Sequence, residues 1–96
     1  MYSKIYIITC DPQHADAMMK HYDNDIAGWV RDSSHHAGHQ MVEVSDGRWV
    51  LISNYHNKHE AEAAAPKVQE IVAPMVENFG MTLEPVAEGE TIREVS

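Results

Sequence analysis

The segment Arg48–Pro66, RWVLISNYHNKHEAEAAAP, constrains the fold most, because its periodicity changes from strand to helix within a few residues. Trp49 to Tyr55 is an apolar, β-branched run, and Asn57-Lys-His-Glu60 then leads into an alanine-rich helical pattern. Asn57 suits an N-cap, with its side-chain oxygen free to accept an orphan backbone N–H. Glu60 stands three residues on, the spacing of a capping box. Just upstream, Asp46-Gly47 lies between two apolar runs and signals a tight hairpin. The segment therefore predicts strand, turn, strand and capped helix, around which the remaining elements must pack.

Before it, Lys4–Cys10 reads as a strand with apolar residues of both parities, so both of its faces need cover. Asp11-Pro12 ends it. From His14, the residues Ala15, Met18, Met19, Tyr22, Ile26, Trp29 and Val30 fall at helical spacing, and the pattern dies in Asp32–Gly38. A strand over His39–Val44 follows. With a two-residue loop, Val44 lies opposite Trp49, Val42 opposite Leu51 and Gln40 opposite Ser53. One hairpin face then carries Val42, Val44, Trp49, Leu51, Ser53 and Tyr55; the other carries His39, Met41, Glu43, Val50, Ile52 and Asn54. Beyond the hairpin, Ala61, Ala64, Ala65, Val68, Ile71, Val72, Met75 and Phe79 share one helical side. Pro66 is expected to split this helix and Gly80 to stop it. A last strand is expected over Thr91–Val95.

The order βαββαβ within one domain, 1–96, is a ferredoxin-like α+β fold: an antiparallel four-stranded sheet with helices on one face. Both hairpin faces are largely apolar and two helices cover only one, so a homodimer is the natural completion. At 96 residues the chain buries only about 60–65% of its unfolded surface, which adds weight to that expectation.

Charge narrows the partners. Seven Lys+Arg against fifteen Asp+Glu give a net charge of −8, which argues against nucleic acid and anionic membrane. No leader-like start and no apolar run of membrane-spanning length is present, so a cytoplasmic location is expected. The single Cys10 reads as a small buried hydrophobe. His35, His36 and His39 form HHxxH, but without helical spacing or an acidic fourth ligand they read as exposed loop histidines, and no metal is expected. No phosphate loop, nucleophile elbow or Ser/His/Asp set is legible. Asp11 and Asp16 read as cap and dipole partners of the first helix.

Gly38-His-Gln-Met-Val-Glu-Val-Ser-Asp-Gly47, then Trp49-Val-Leu-Ile-Ser-Asn-Tyr55, Glu60-Ala-Glu and Glu88-Gly-Glu90, resemble the dimeric α+β barrel superfamily. Within it the likeness is to antibiotic-biosynthesis-monooxygenase-type domains and covers nearly the whole chain. The resemblance implies a dimer whose two sheets face each other and a pocket in each subunit between sheet and helices. Members include cofactor-free oxygenases of polycyclic aromatics, haem-degrading oxygenases and many proteins of unknown role. The chain departs from the pattern where a Pro-Gly-Phe loop often stands, reading His35-His36-Ala37. Where haem-degrading members carry Asn, Trp and His, it has Tyr6, Tyr55 and Ala65, so haem degradation by that route is not expected.

The expected function is cofactor-independent, monooxygenase-like binding of an apolar or aromatic small molecule; the alternative is a non-catalytic ligand-binding or assembly module. The expected substrate-binding residues are Tyr6, Tyr22, Trp49, Ser53 and Tyr55. Each is also readable as core: Tyr55 as a plug at the strand end, Tyr22 as part of the inward helical stripe with Trp29. Asn54 and His56 are expected to face away.

Overall fold

A computed structural model describes residues 1–95. Four strands, β1 (Tyr2–Thr9), β2 (His36–Ser45), β3 (Arg48–Tyr55) and β4 (Thr82–Glu90), form one antiparallel sheet in the order β2-β3-β1-β4. Helices α1 (Pro12–His21), α2 (Ala27–Asp32) and α3 (Lys58–Phe79) supply the cover. The ferredoxin-like α+β reading holds.

α1 begins earlier than the sequence pattern implied. Asp11 accepts from the Gln13 N–H and Pro12 occupies the first turn, where its missing N–H costs nothing. Between α1 and α2 the chain widens into a single π-helical segment, Tyr22–Ile26. That extra residue resets the phase of the apolar stripe, so that Met18, Ile26 and Val30 all reach the core.

The hairpin turns at Gly47, whose φ of 76° and lack of a side chain are both required. A Cβ there would stand 2.3 Å from the Cys10 carbonyl oxygen. The Gly47 carbonyl also accepts from the Cys10 N–H at 2.9 Å, which ties the turn to the end of β1.

The hairpin register differs from the two-residue expectation. A bulge between Glu43 and Ser45 shifts β2 by one residue, pairing Met41 with Leu51 and His39 with Ser53. A one-residue slip exchanges faces. Val42 and Val44, expected inward, are 51% and 52% exposed, while Met41 and His39 turn toward the helices. The strand also starts at His36, so most of the HHxxH run is sheet and not loop.

α3 is another correction. It runs unbroken for 22 residues through Pro66 and Pro74, from the Asn57 cap to Gly80 at φ 63°. Both prolines sit on its exposed side, so the carbonyls left without donors, Glu62 and Glu70, face water. The Asn57 side chain accepts from the Glu60 N–H at 2.9 Å. Asn57→Ala is expected to cost about 1 kcal/mol in urea unfolding, the usual value of a lost cap. An unchanged midpoint would show that tertiary packing alone holds the helix start.

The last strand is β4, not Thr91–Val95. It pairs with β1 along its length and shifts register between Ile5 and Tyr6, opposite Pro85 and Ala87. An edge strand tolerates a proline that cannot donate to the ladder.

Packing divides into two clusters. The larger contains Ile8, Cys10, Met18, Ile26, Val30, Trp49, Leu51, Met75 and Met81. The smaller, at the far end of β1 and β3, contains Tyr2, Tyr55, Ala61 and Ala64. The opposite sheet face carries Ile5, Ile7, Val50 and Ile52, only half-buried and with no helix over them.

Candidate functional site

The cavity lies where the two clusters meet, between the inward face of the sheet and all three helical stretches. It has a volume of about 60 Å³. Met18, Met19, Ile26 and Trp29 roof it from the first helices; Ile71, Val72 and Met75 come from α3; Ile8, Leu51 and Leu83 form the floor. Strand alternation fixes which β3 residues reach it: Leu51, Ser53 and Tyr55 point in, and Val50, Ile52 and Asn54 point out.

Of the expected site residues, Tyr6, Tyr22, Ser53 and Tyr55 stand together in this wall. Trp49 does not. It is 3% exposed and packed in the larger cluster, outside the lining. Tyr55 is 2% exposed and belongs both to the smaller core cluster and to the wall, so the two readings offered for it coincide. Asn54 faces away, its Oδ1 accepting from Ser3 Oγ at 2.7 Å.

Sequence reasoning missed His39. The bulge turns it inward, where its Nε2 lies 2.7 Å from Ser53 Oγ and its Nδ1 lies 3.3 Å from the Tyr22 hydroxyl. Its pairing with Ser53 follows from the shifted register. The signal that could have found it is the polar Ser53 in an otherwise apolar inward stripe: a buried hydroxyl needs a partner. His36 is also buried, not exposed as expected. Its ring packs 4.6 Å from Tyr55, 5.0 Å from Trp29 and 5.1 Å from His39. Its Nδ1 meets Ser33 Oγ at 3.0 Å, and its Nε2 is buried without a partner. His35 pairs with Glu60. Glu60 thus turns to the β2 start and is not closing a capping box.

Burial sets the charge states here. It pushes the His39 imidazole down to about 4, with His36 adding to the effect. His36 is lowered too, by burial first and then by His35. The Tyr6 phenol is pushed up to about 12, mainly by burial, with Tyr55 and Glu88 contributing. Burial also raises Tyr22 and Tyr55. Near neutral pH the wall is uncharged, and its phenols keep their protons and can donate. Cys10 is no nucleophile: burial raises its thiol, and the sulfur leans on the Phe79 carbonyl at 3.5 Å. Among the described residues, no three His, Cys, Asp or Glu side chains converge on a point that could hold a metal ion.

A more open groove of about 320 Å³ adjoins the cavity, between α3 and strands β1 and β4. It shares Tyr6, Tyr55, Val68, Val72 and Leu83 with the cavity wall. The shared residues place the groove directly against the cavity wall.

No protein-family model matches the chain, and no curated protein does. Solved structures do. A candidate antibiotic biosynthesis monooxygenase from Deinococcus radiodurans superposes with a TM-score of 0.80 at 13% identity, over 100% of this chain and 97% of its own. The chain shares the fold of that structure over its full length. A dimeric ferredoxin-like protein from an uncultured marine organism matches at TM-score 0.69 and 13% identity, over 99% of this chain and 97% of that one. The haem-degrader MhuD of Mycobacterium tuberculosis, solved with two haems bound in its active site, matches at TM-score 0.67 and 17% identity, over the full length of both. At such identities the likeness to monooxygenase-like domains fixes the fold alone, and the chemistry must come from this chain's residues.

The helix side of the groove offers haem iron no imidazole. The α3 wall of the groove offers Ala65, Val68, Gln69, Val72 and Ala73, none of which ligates iron. Both nitrogens of His39, the one imidazole in the cavity wall, are engaged by Ser53 and Tyr22.

Proposed function

We propose that the protein binds a flat, mostly apolar small molecule between sheet and helices and oxygenates it without a cofactor. The observation that carries this reading is the composition of the cavity: apolar and aromatic walls interrupted by one hydrogen-bonded set, Tyr22–His39–Ser53. Such walls with a few fixed polar groups are the usual makeup of a small-molecule site. The neutral imidazole and protonated phenols suit an uncharged ring system and orient it by hydrogen bonds.

The pocket's share of the chemistry is orientation and exclusion of water. An electron-rich substrate supplies the electrons itself. At a ring methylene, CH₂ plus O₂ gives C=O plus H₂O, so one oxygen atom ends on carbon and the other leaves as water. The protein works as a homodimer, joined through the uncovered sheet face that carries Ile5, Ile7, Val50 and Ile52, in the cytoplasm. The second reading, a non-catalytic ligand-binding or assembly module, draws on the small enclosed volume, which the protein's own side chains largely fill.

Binding is tested with a neutral probe, 2-naphthamide, by quenching of tryptophan fluorescence. Trp29 lines the cavity and Trp49 does not, so Trp29→Phe should abolish most of the quenching. Tyr55→Phe should weaken binding about fivefold, the value of one hydrogen bond, while leaving the melting temperature nearly unchanged. Saturable binding with no oxygen uptake by any electron-rich arene would favour the second reading. No binding at all would sink both small-molecule readings.

A further inference from the structure

The enclosed cavity has no cation in its wall; the groove beside it has one. Lys4 borders the groove between α3 and strands β1 and β4, and also the shallower hollow along β4. It sits on the inward face of β1, opposite the buried Ser53 and two residues before Tyr6. Its neighbour on β4 is Glu88, whose carboxylate accepts from the Tyr2 hydroxyl at 2.8 Å and forms no ion pair with Lys4. Among the described residues no carboxylate lies within ion-pair distance of the Lys4 ammonium. In a chain with fifteen acidic side chains against seven basic ones, a half-buried inward-facing cation without an acidic partner needs an explanation.

Two further donors share the groove. The Tyr6 hydroxyl has no hydrogen-bond partner among the described residues, and burial keeps it protonated across the neutral range. Gln69 brings a carboxamide from α3. The rest of that wall, Ala65, Val68, Val72 and Ala73, is apolar. An ammonium, a phenol O–H and an amide N–H at the rim of an apolar channel are the complement of a carboxylate, which takes strong charge-assisted bonds from such donors.

We propose that the groove selects ligands carrying a carboxylate: the flat apolar body lies in the 320 Å³ groove against Ala65, Val68 and Val72, beside the cavity wall, and the acid group binds Lys4, with Tyr6 and Gln69 donating to it. The proposal rests on the small-molecule reading of the cavity and names its ligand class.

The test compares 2-naphthoate with 2-naphthamide, near-isosteres that differ in charge, by calorimetric titration of the wild type, Lys4→Met and Lys4→Glu. The wild type should prefer the acid about tenfold, as expected for a charged hydrogen bond in a partly dry site. Lys4→Met keeps the aliphatic stem; it should equalise the two probes and leave amide binding unchanged, which also certifies the fold. Lys4→Glu should reverse the preference, and added salt should shrink it in the wild type. Equal affinities in the wild type, or a preference that survives Lys4→Met, would overturn the proposal while the cavity reading stood. Failure of both probes to bind would remove the cavity reading and this inference with it.

Discussion

Ile52→Asp is expected to abolish the dimer. Ile52 lies on the sheet face opposite the helices, paired with Ile5 on β1 and Gln40 on β2, with Val50 and Ile7 beside it. None of these has a helix over it in the single chain. A whole sheet face buried against a second copy exceeds the roughly 1,600 Å² of a standard complex. A carboxylate at its centre is desolvated without a partner, and several kcal/mol of penalty weakens association by about three orders of magnitude. Sedimentation at micromolar concentration should show monomer. Because Ile52 is half-buried, its substitution also strains the monomer, so Val42→Asp is the cleaner companion. Val42 lies on the same face, opposite Val50, and is 51% exposed, so the isolated fold loses little. Val76→Asp, 45% exposed on α3, is the control that should leave the dimer intact. A wild type that sediments as a folded monomer, or a Val42→Asp variant that stays dimeric, would rule out this face as the interface.

The elements that announced themselves in the sequence are those decided by local chemistry. Asn57 caps because its oxygen reaches the Glu60 N–H; Gly80 stops α3 because only glycine takes φ 63° freely; Asp46-Gly47 turns because the Cys10 carbonyl leaves no room for a Cβ. The elements misread were decided at a distance. The β-bulge near Val44 has no local signature in a run whose residues alternate plausibly in either register, and it alone exchanged Val42 for Met41 in the interior. Pro66 looked like a breaker because its effect on a helix depends on which side faces water. Thr91–Val95 is the more β-branched run and reads as the last strand, yet pairing with β1 favours the segment that follows Gly80 directly. The same slip hid one member of the cavity wall, His39. Tyr6, Tyr22, Ser53 and Tyr55 were legible from strand and helix parity, whereas Trp49 shares their parity but lies too far along β3. His39, one register step from the interior, read as surface.

Acid is expected to unfold the protein through that same histidine. His39 titrates near 6.5 in an unfolded chain and at about 4 when folded, because burial beside Ser53, Tyr22 and His36 penalises the imidazolium. Between these values the unfolded state holds a proton that the folded state refuses. Stability is therefore fully present above about pH 6.5 and falls as the pH drops toward 4. The loss attributable to His39 is about 3 kcal/mol. His36, also lowered by burial, acts in the same direction, and so does Glu60, whose carboxylate His35 holds below its usual range. Their contributions remain when His39 alone is replaced, which makes a difference measurement decisive. Urea unfolding of the wild type and His39→Gln at several values between pH 7.5 and pH 4.5 should give two curves that converge. The variant pays at neutral pH for the altered hydrogen bonds to Ser53 and Tyr22, and it is spared the protonation of a buried ring in acid. Parallel curves would mean that His39 reaches solvent readily enough to be charged in the folded state, and the neutral, dry wall on which the cavity reading depends would not exist.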